Sequence, residues 1–377
     1  MLIKLIFRCL LCLTILGQTV AAQKKTITFC GSTQNDLYQL LKGQGYTLKT
    51  YPDITEAIHS TASGGAVFLV SDSYPKVSNQ SGITEALLAS ARNKKLRLYV
   101  EYPKSFSGLN INPSPVETRL ERGVVTSNEF GSKLKPMSLL GIHNCYVLPV
   151  EVPDPLIVLA KVVGFDRAEY GLDSTKFYSL LFQQDNVIIS MTGLSNFAKA
   201  RYGPNESVKQ VWTYILSKTL AEPNLSIKNW ISYVTPMYGK NEHLPTNARL
   251  KSIRKGIEWF DNGRFFVHPE WEALWRKYQG DGTMPAGPPL PAGMPNGDGS
   301  LGIIEGPMST INYDGSQQSR YWMRADVQGE ASMALAAAGR VLNNPTYKKK
   351  AENLIDYLLK SNMRSGEKND KNSAAYG

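Results

Sequence analysis

The residue types with most chemistry in them crowd between Asp298 and Glu330. The run Asp298-Gly299-Ser300-Leu301-Gly302-Ile303-Ile304-Glu305-Gly306-Pro307 leads into a stretch holding Arg320, Trp322, Arg324 and Asp326. Such a mixture can act on a sugar chain. Two carboxyl groups serve as acid and as base or nucleophile across a glycosidic bond, rings stack on a sugar face, and guanidinium groups hold carboxylates or hydroxyls. Asp326, where a helix is expected to begin, is the expected general acid. Glu305, on a turn before Gly306-Pro307, is the second carboxylate. Each also has a plainer role, Asp326 as a carboxylate meeting free N–H groups at a helix start and Glu305 as an exposed loop acid. Arg320 and Arg324 are four apart, so they share a helical face or flank one site, where they bind substrate. Trp322 is a stacking ring or a core residue. Asp261 and Arg264 lie in a second polar cluster, Asp261-Asn262-Gly263-Arg264, which either lines the same site or ends a helix with Gly263 in the left-handed position.

Other chemistries lack their residues. The first strand runs into Phe29-Cys30-Gly31-Ser32-Thr33-Gln34-Asn35-Asp36, with a single glycine where a dinucleotide fold needs several. The domain that follows holds no Walker motif and no nucleophile elbow. His143 and Cys145, two apart on a strand, share a face, but the sharp turn that would activate the thiol is missing. His59, His143, His243 and His268 are scattered without metal-ligand spacing, so neither a metal nor a cofactor is expected.

These residues must be positioned by a chain of 377 residues with 42% apolar and 20% charged residues, a globular composition with room for two or three domains. Strands are expected at Thr26–Cys30, Thr47–Tyr51, Ala66–Val70, Leu96–Val100, Cys145–Val150, Ile157–Val163 and Asn186–Ser190. Helices alternate with them at Asp36–Leu41, Ile83–Arg92 and Glu206–Lys218. The alternation predicts an α/β layer fold with a largely parallel sheet over residues 23–220. Residues 221–302 read as a connector, with a helix at Leu250–Phe260 and a Pro/Gly-rich loop at Gly280–Gly302. Residues 303–377 are helical. Ala331, Ala334, Ala336, Ala337 and Ala338 leave space for a neighbouring helix, and Tyr347, Ala351, Leu354, Ile355 and Leu358 recur at helical spacing after an Asn344-Pro345 start. One hairpin, even with the helix before it, is not expected to enclose a core, so the sequence reads as a piece of a larger helical domain.

Residues 1–22 have the form of an export signal: Lys4, an apolar run from Leu5 to Gly17, and Val20-Ala21-Ala22 before Gln23. The run is too short for a comfortable membrane span, so no integral span is expected after cleavage. The mature chain is expected to be exported, to the periplasm or beyond. The 42 Lys and Arg against 32 Asp and Glu include no long basic run, which argues against nucleic acid as a partner and suits an acidic glycan. Cys30 and Cys145, the two cysteines left after the signal, make no disulfide framework, and buried free thiols are expected.

Two resemblances extend this reading. The order of elements, the excursion from Gly164 to Phe182 and the ending Asn186-Val187-Ile188-Ile189-Ser190-Met191-Thr192-Gly193-Leu194-Ser195-Asn196 resemble the class I glutamine amidotransferase-like fold, a three-layer domain. Without a cysteine elbow the resemblance implies a non-catalytic companion domain. Arg324-Ala325-Asp326, followed by Glu330-Ala331 and an alanine-rich helix, resembles the start of an inner helix in the six-hairpin glycosidase superfamily. It also resembles exported bacterial proteins that pair this helical domain with an amidotransferase-like one. The second resemblance implies the beginning of an all-α (α/α)6 toroid and a glycoside hydrolase acting on a poly- or oligosaccharide. A polysaccharide lyase on the same toroid and a glycan-binding scaffold protein without turnover are the alternatives.

Overall fold

The structure is a computed structural model that describes residues 25–77, 82–233, 236–239, 241–279, 286–361 and 371–372. The expected signal segment, residues 1–22, lies outside the described residues. The chain divides into two compact units, residues 1–233 and 234–377. No helix among the described residues is long and apolar enough to cross a membrane.

The first unit is α/β, as the alternation of elements predicts. Its strands are β1 (Thr26–Cys30), β2 (Thr47–Tyr51), β3 (Ala66–Leu69), β4 (Arg97–Glu101), β5 (Val116–Glu117), β6 (Arg122–Val125), β7 (Leu139–Leu140), β8 (Tyr146–Val147), β9 (Ile157–Ala160), β10 (Phe177–Gln184) and β11 (Val187–Ser190). Its helices are α1 (Asp36–Gly43), α2 (Ile54–Ser60), α3 (Glu85–Asn93) and α4 (Asn205–Leu220). Nine strands form one sheet in the order β2-β1-β3-β4-β11-β10-β9-β6-β7. β3 (Ala-Val-Phe-Leu) and β11 (Val-Ile-Ile-Ser) are buried along their whole length, the pattern of strands covered on both faces. Three of the helices begin on capping side chains: Asn35 accepts from Leu37 N at 2.9 Å, Asp53 from Glu56 N at 3.0 Å and Thr84 from Leu87 N at 3.4 Å.

The expectation of a largely parallel sheet holds for one half. β2, β1, β3, β4 and β11 run parallel, whereas β10, β9, β6 and β7 add antiparallel ladders. The excursion after Gly164 contains β10, which folds back on β11 through a two-residue turn at Asp185-Asn186, with Asp185 at φ 50°. A two-residue hairpin imposes antiparallel pairing. Cys145 precedes a short β8 paired only with β5, outside the main sheet. Cys30 and Cys145 are free and buried.

The second unit contains α5 (Ala248–Asn262), α6 (Glu272–Tyr278), α7 (Ala325–Val341) and α8 (Pro345–Lys360), with a small sheet of β12 (Ala286–Gly287), β14 (Ser319–Arg320) and β13 (Gly306–Pro307). α7 and α8 make the expected hairpin. Gly339 lies so close to α8 that a Cβ there would meet Lys348 Cγ at 2.8 Å. Ser332 Oγ donates to Ala351 O at 2.8 Å and ties the helices together. The expectation that this hairpin encloses no core is overturned: Leu335 and Leu354 pack with Ile257, Phe266, Trp271, Ile303 and Tyr321 in one buried cluster. Residues 248–279 thus share a core with the hairpin, because irregular segments carry the aromatic rings that close it. Among the described residues there is one such hairpin and no ring of them.

Candidate functional site

Five of the seven predicted residues, Glu305, Arg320, Trp322, Arg324 and Asp326, converge at the small sheet of the second unit. Gly306 on β13 is paired with Arg320 on β14, and the ladder continues where Glu305 N donates to Trp322 O at 3.1 Å. Glu305 and Arg320 are therefore neighbours across a strand pair. Arg320 Nη1 donates to Glu305 Oε2 at 3.1 Å, and Arg324 Nη1 donates to Glu305 Oε1 at 2.8 Å. Arg324 also grips Asp326, through Nε to Oδ1 at 3.1 Å and through Nη2 to Oδ2. One guanidinium thus bridges two carboxylates. Arg320 and Arg324 do not share a helical face, since Arg320 is on a strand and Arg324 is the extended residue before α7. They meet because the chain between them returns to Glu305.

The environment sets the roles. Asp326 sits in the first turn of α7, exposed, and Arg324 beside it holds its carboxyl below the usual carboxylate range. An ion pair of this kind favours the carboxylate form of Asp326. The Arg320 guanidinium lies 5.4 Å from the Trp322 ring centroid, a cation–π pair. Trp322 Nε1 is buried without a hydrogen-bond partner among the described residues.

Asp261 and Arg264 are not brought to this cluster. Asp261 accepts from Asn296 Nδ2 at 2.7 Å and pairs with Lys350. Arg264 Nη1 donates to Pro291 O at 3.0 Å. Both side chains fasten the Pro/Gly-rich loop to its own unit. The left-handed residue of that turn is Arg264, at φ 53°, and not Gly263, at φ −78°.

A second concentration of polar groups, which motif reading missed, lies in the first unit. Glu101 ends β4 and is completely buried, accepting from Ser195 Oγ at 2.6 Å, Ser195 N at 2.8 Å and Tyr99 OH at 2.7 Å. Asn35 Nδ2 extends the network by donating to Ser195 Oγ at 2.8 Å. Burial pushes the Glu101 carboxyl up to about 7, against the three bonds that favour its charge. The signal available was one glutamate closing the apolar run Leu98-Tyr99-Val100. Tyr102, next along, has φ 50° and is buried. Cys145 is unlike a catalytic thiol: burial raises its pKa, and its partners are the hydroxyls of Thr118 at 3.3 Å and Thr192 at 3.6 Å.

Among the described residues no group of three or more His, Cys, Asp or Glu side chains is placed to hold a metal ion.

No protein-family model matches the chain, and no curated protein matches it. One solved structure, described as Agd3, a novel carbohydrate deacetylase, aligns at TM-score 0.37 and 9% identity over 72% of this chain and 47% of that one. The chain thus spans less than half the length of that protein, and a likeness of this size assigns neither fold nor activity.

Proposed function

We propose that this chain is an exported carbohydrate-active protein that engages a poly- or oligosaccharide at Glu305, Arg320, Trp322, Arg324 and Asp326. The observation that carries the reading is the Arg324 guanidinium held between the Glu305 and Asp326 carboxylates, beside a tryptophan. Guanidinium and carboxylate groups fixed against one another offer donors and acceptors to vicinal hydroxyls at little conformational cost. The two arginines and two carboxylates cancel in charge, which suits neutral hydroxyls better than the acidic glycan that the net charge suggests.

Hydrolysis is the finer form of this proposal, with Asp326 and Glu305 as its two carboxyl groups. Binding without turnover is the other form, favoured by the ion pairs that already engage both carboxylates. The test is affinity electrophoresis of the protein through neutral and uronic-acid polysaccharides, paired with assays for new reducing ends and for the ultraviolet absorbance of a lyase product. Retardation abolished by Arg324→Ala supports the site, and retardation unchanged by Arg324→Ala and by Trp322→Ala overturns it. Reducing ends that vanish in both Asp326→Asn and Glu305→Gln establish hydrolysis.

A further inference from the structure

In the first unit the chain leaves β1 for β2 on one side and returns to β3 on the other, so the strand order reverses between β1 and β3. Loops that part at such a reversal leave a crevice beyond the carboxyl ends of the strands, where open α/β sheets bind ligands. The crevice is present here. It has a volume of about 160 Å³ and is lined by Cys30, Ser71, Asp72 and Ser73 between walls that include Ile54 and Ile83.

Its chemistry is one-sided. Among the described residues no Lys, Arg or His lines it. Asp72 accepts from Ser32 N through Oδ1, and among the described residues nothing donates to its other oxygen. Asp72 is exposed at the mouth of the crevice, and partial desolvation, opposed by the Ser32 N–H, raises its carboxyl above the usual carboxylate range. The same negative field reaches the crevice floor, where burial, then Asp72, then Asp53 push the Cys30 thiol up to about 11. Ser71 Oγ is buried and, among the described residues, has no hydrogen-bond partner. A buried hydroxyl without a partner calls for an explanation, and a ligand atom supplies one.

A phosphate or carboxylate would meet repulsion here, and a neutral polyol would leave Asp72 uncompensated. We infer that the crevice binds a small molecule through a primary ammonium group, paired with Asp72 and donating one N–H to Ser71 Oγ. The wall residues Ile54 and Ile83 limit the remainder of the ligand to a short chain or a single ring.

Three probes of one skeleton separate the charges: glucamine, sorbitol and gluconate carry an ammonium, a hydroxyl and a carboxylate on the same polyol. Titration of the whole protein at pH 7, followed by calorimetry and saturation-transfer NMR, is expected to show binding of glucamine alone. Asp72→Asn keeps an acceptor for Ser32 N and is expected to weaken glucamine at least about tenfold, the size of a lost charge-assisted bond. Ser71→Ala, a change too small to disturb folding, is expected to weaken it about threefold. Equal binding of sorbitol, no binding of glucamine, or glucamine binding indifferent to both Asp72→Asn and Ser71→Ala overturns the inference.

Discussion

The side-chain amide of Gln328 pairs with both backbone groups of Ile303: Nε2 donates to Ile303 O at 2.6 Å, and Oε1 accepts from Ile303 N at 2.9 Å. Ile303 lies opposite Phe266, and the bonds of that bridge run from Ile304 N to Phe265 O and from Val267 N to Gly302 O. Successive residues of an extended strand turn their backbone groups to opposite sides, so those of Ile303 face away from Phe266. The helix α7 supplies the missing partner. Through this clamp the hairpin fixes the strand that ends in Glu305.

Gln328→Leu fills the same space and strands a buried N–H and a buried C=O. The expected loss is about 2–5 kcal/mol, the cost of two unsatisfied buried groups, read as a fall in the urea midpoint at constant slope. Gln328→Glu is expected to recover part of this loss at pH 4, where a protonated carboxyl can both donate and accept, and less at pH 7.

Gly306 and Gly329 give opposite expectations for the same substitution. Gly306 has φ 83°, and a Cβ there would stand 2.7 Å from Phe265 Cε1. Gly306→Ala is expected to cost about 2–4 kcal/mol from backbone strain and overpacking. Gly329 is inside α7 with nothing within 4 Å of its Cβ position. Gly329→Ala is expected to gain about 0.5–1 kcal/mol from helix propensity. Thermal melts of the two variants check the contrast, and equal shifts would refute it.

These positions show what was legible in the sequence. Strands β1, β2, β3, β4, β9 and β11 and helices α1, α3, α4, α5, α7 and α8 follow from apolar runs and helical spacing, because those patterns record burial directly. Glu305, Arg320, Trp322, Arg324 and Asp326 were legible as a group because they crowd into one segment. Their pairing was not, since it depends on a strand register between Gly306 and Arg320 that periodicity does not encode. Gln328 and Ser195 look like ordinary polar residues until the partner segment is in place. The crevice at Asp72 was hidden for the same reason, being made by strand order and not by a motif.

Glu101 makes the first unit sensitive to pH. Its folded pKa of about 7 lies above the ordinary glutamate value of 4.5, so between these values the folded state holds a proton that the unfolded chain has released. Stability therefore falls as pH rises from about 4.5 to about 7, by at most about 3 kcal/mol. Glu101→Gln retains an acceptor for Tyr99 OH and Ser195 N and can donate to Ser195 Oγ. It is expected to match the parent near pH 4.5, to exceed it at pH 8 and to flatten the profile between. Denaturant midpoints across that range decide the matter, and parallel profiles would show that Glu101 does not titrate there.

Arg324 tests the second unit by the reverse sign. Its hold on Asp326 lowers the carboxyl pKa in the folded state, so the contribution is complete above the unfolded value and is lost as pH falls through the folded one. The pair is exposed to water, and exposed pairs contribute little to stability. Arg324→Ala is thus expected to leave the melting temperature at pH 7 nearly unchanged while the Asp326 carboxyl, followed by carbon NMR, titrates closer to its ordinary value. Arg324→Lys is expected to keep part of the shift but not the bridge, because an ammonium is a point charge without the planar fork that reaches Glu305 and Asp326 together. Glycan retardation should therefore be lost in both variants. Retention in Arg324→Lys would mean that the site needs only a positive charge, and the bridged geometry would lose its role in recognition.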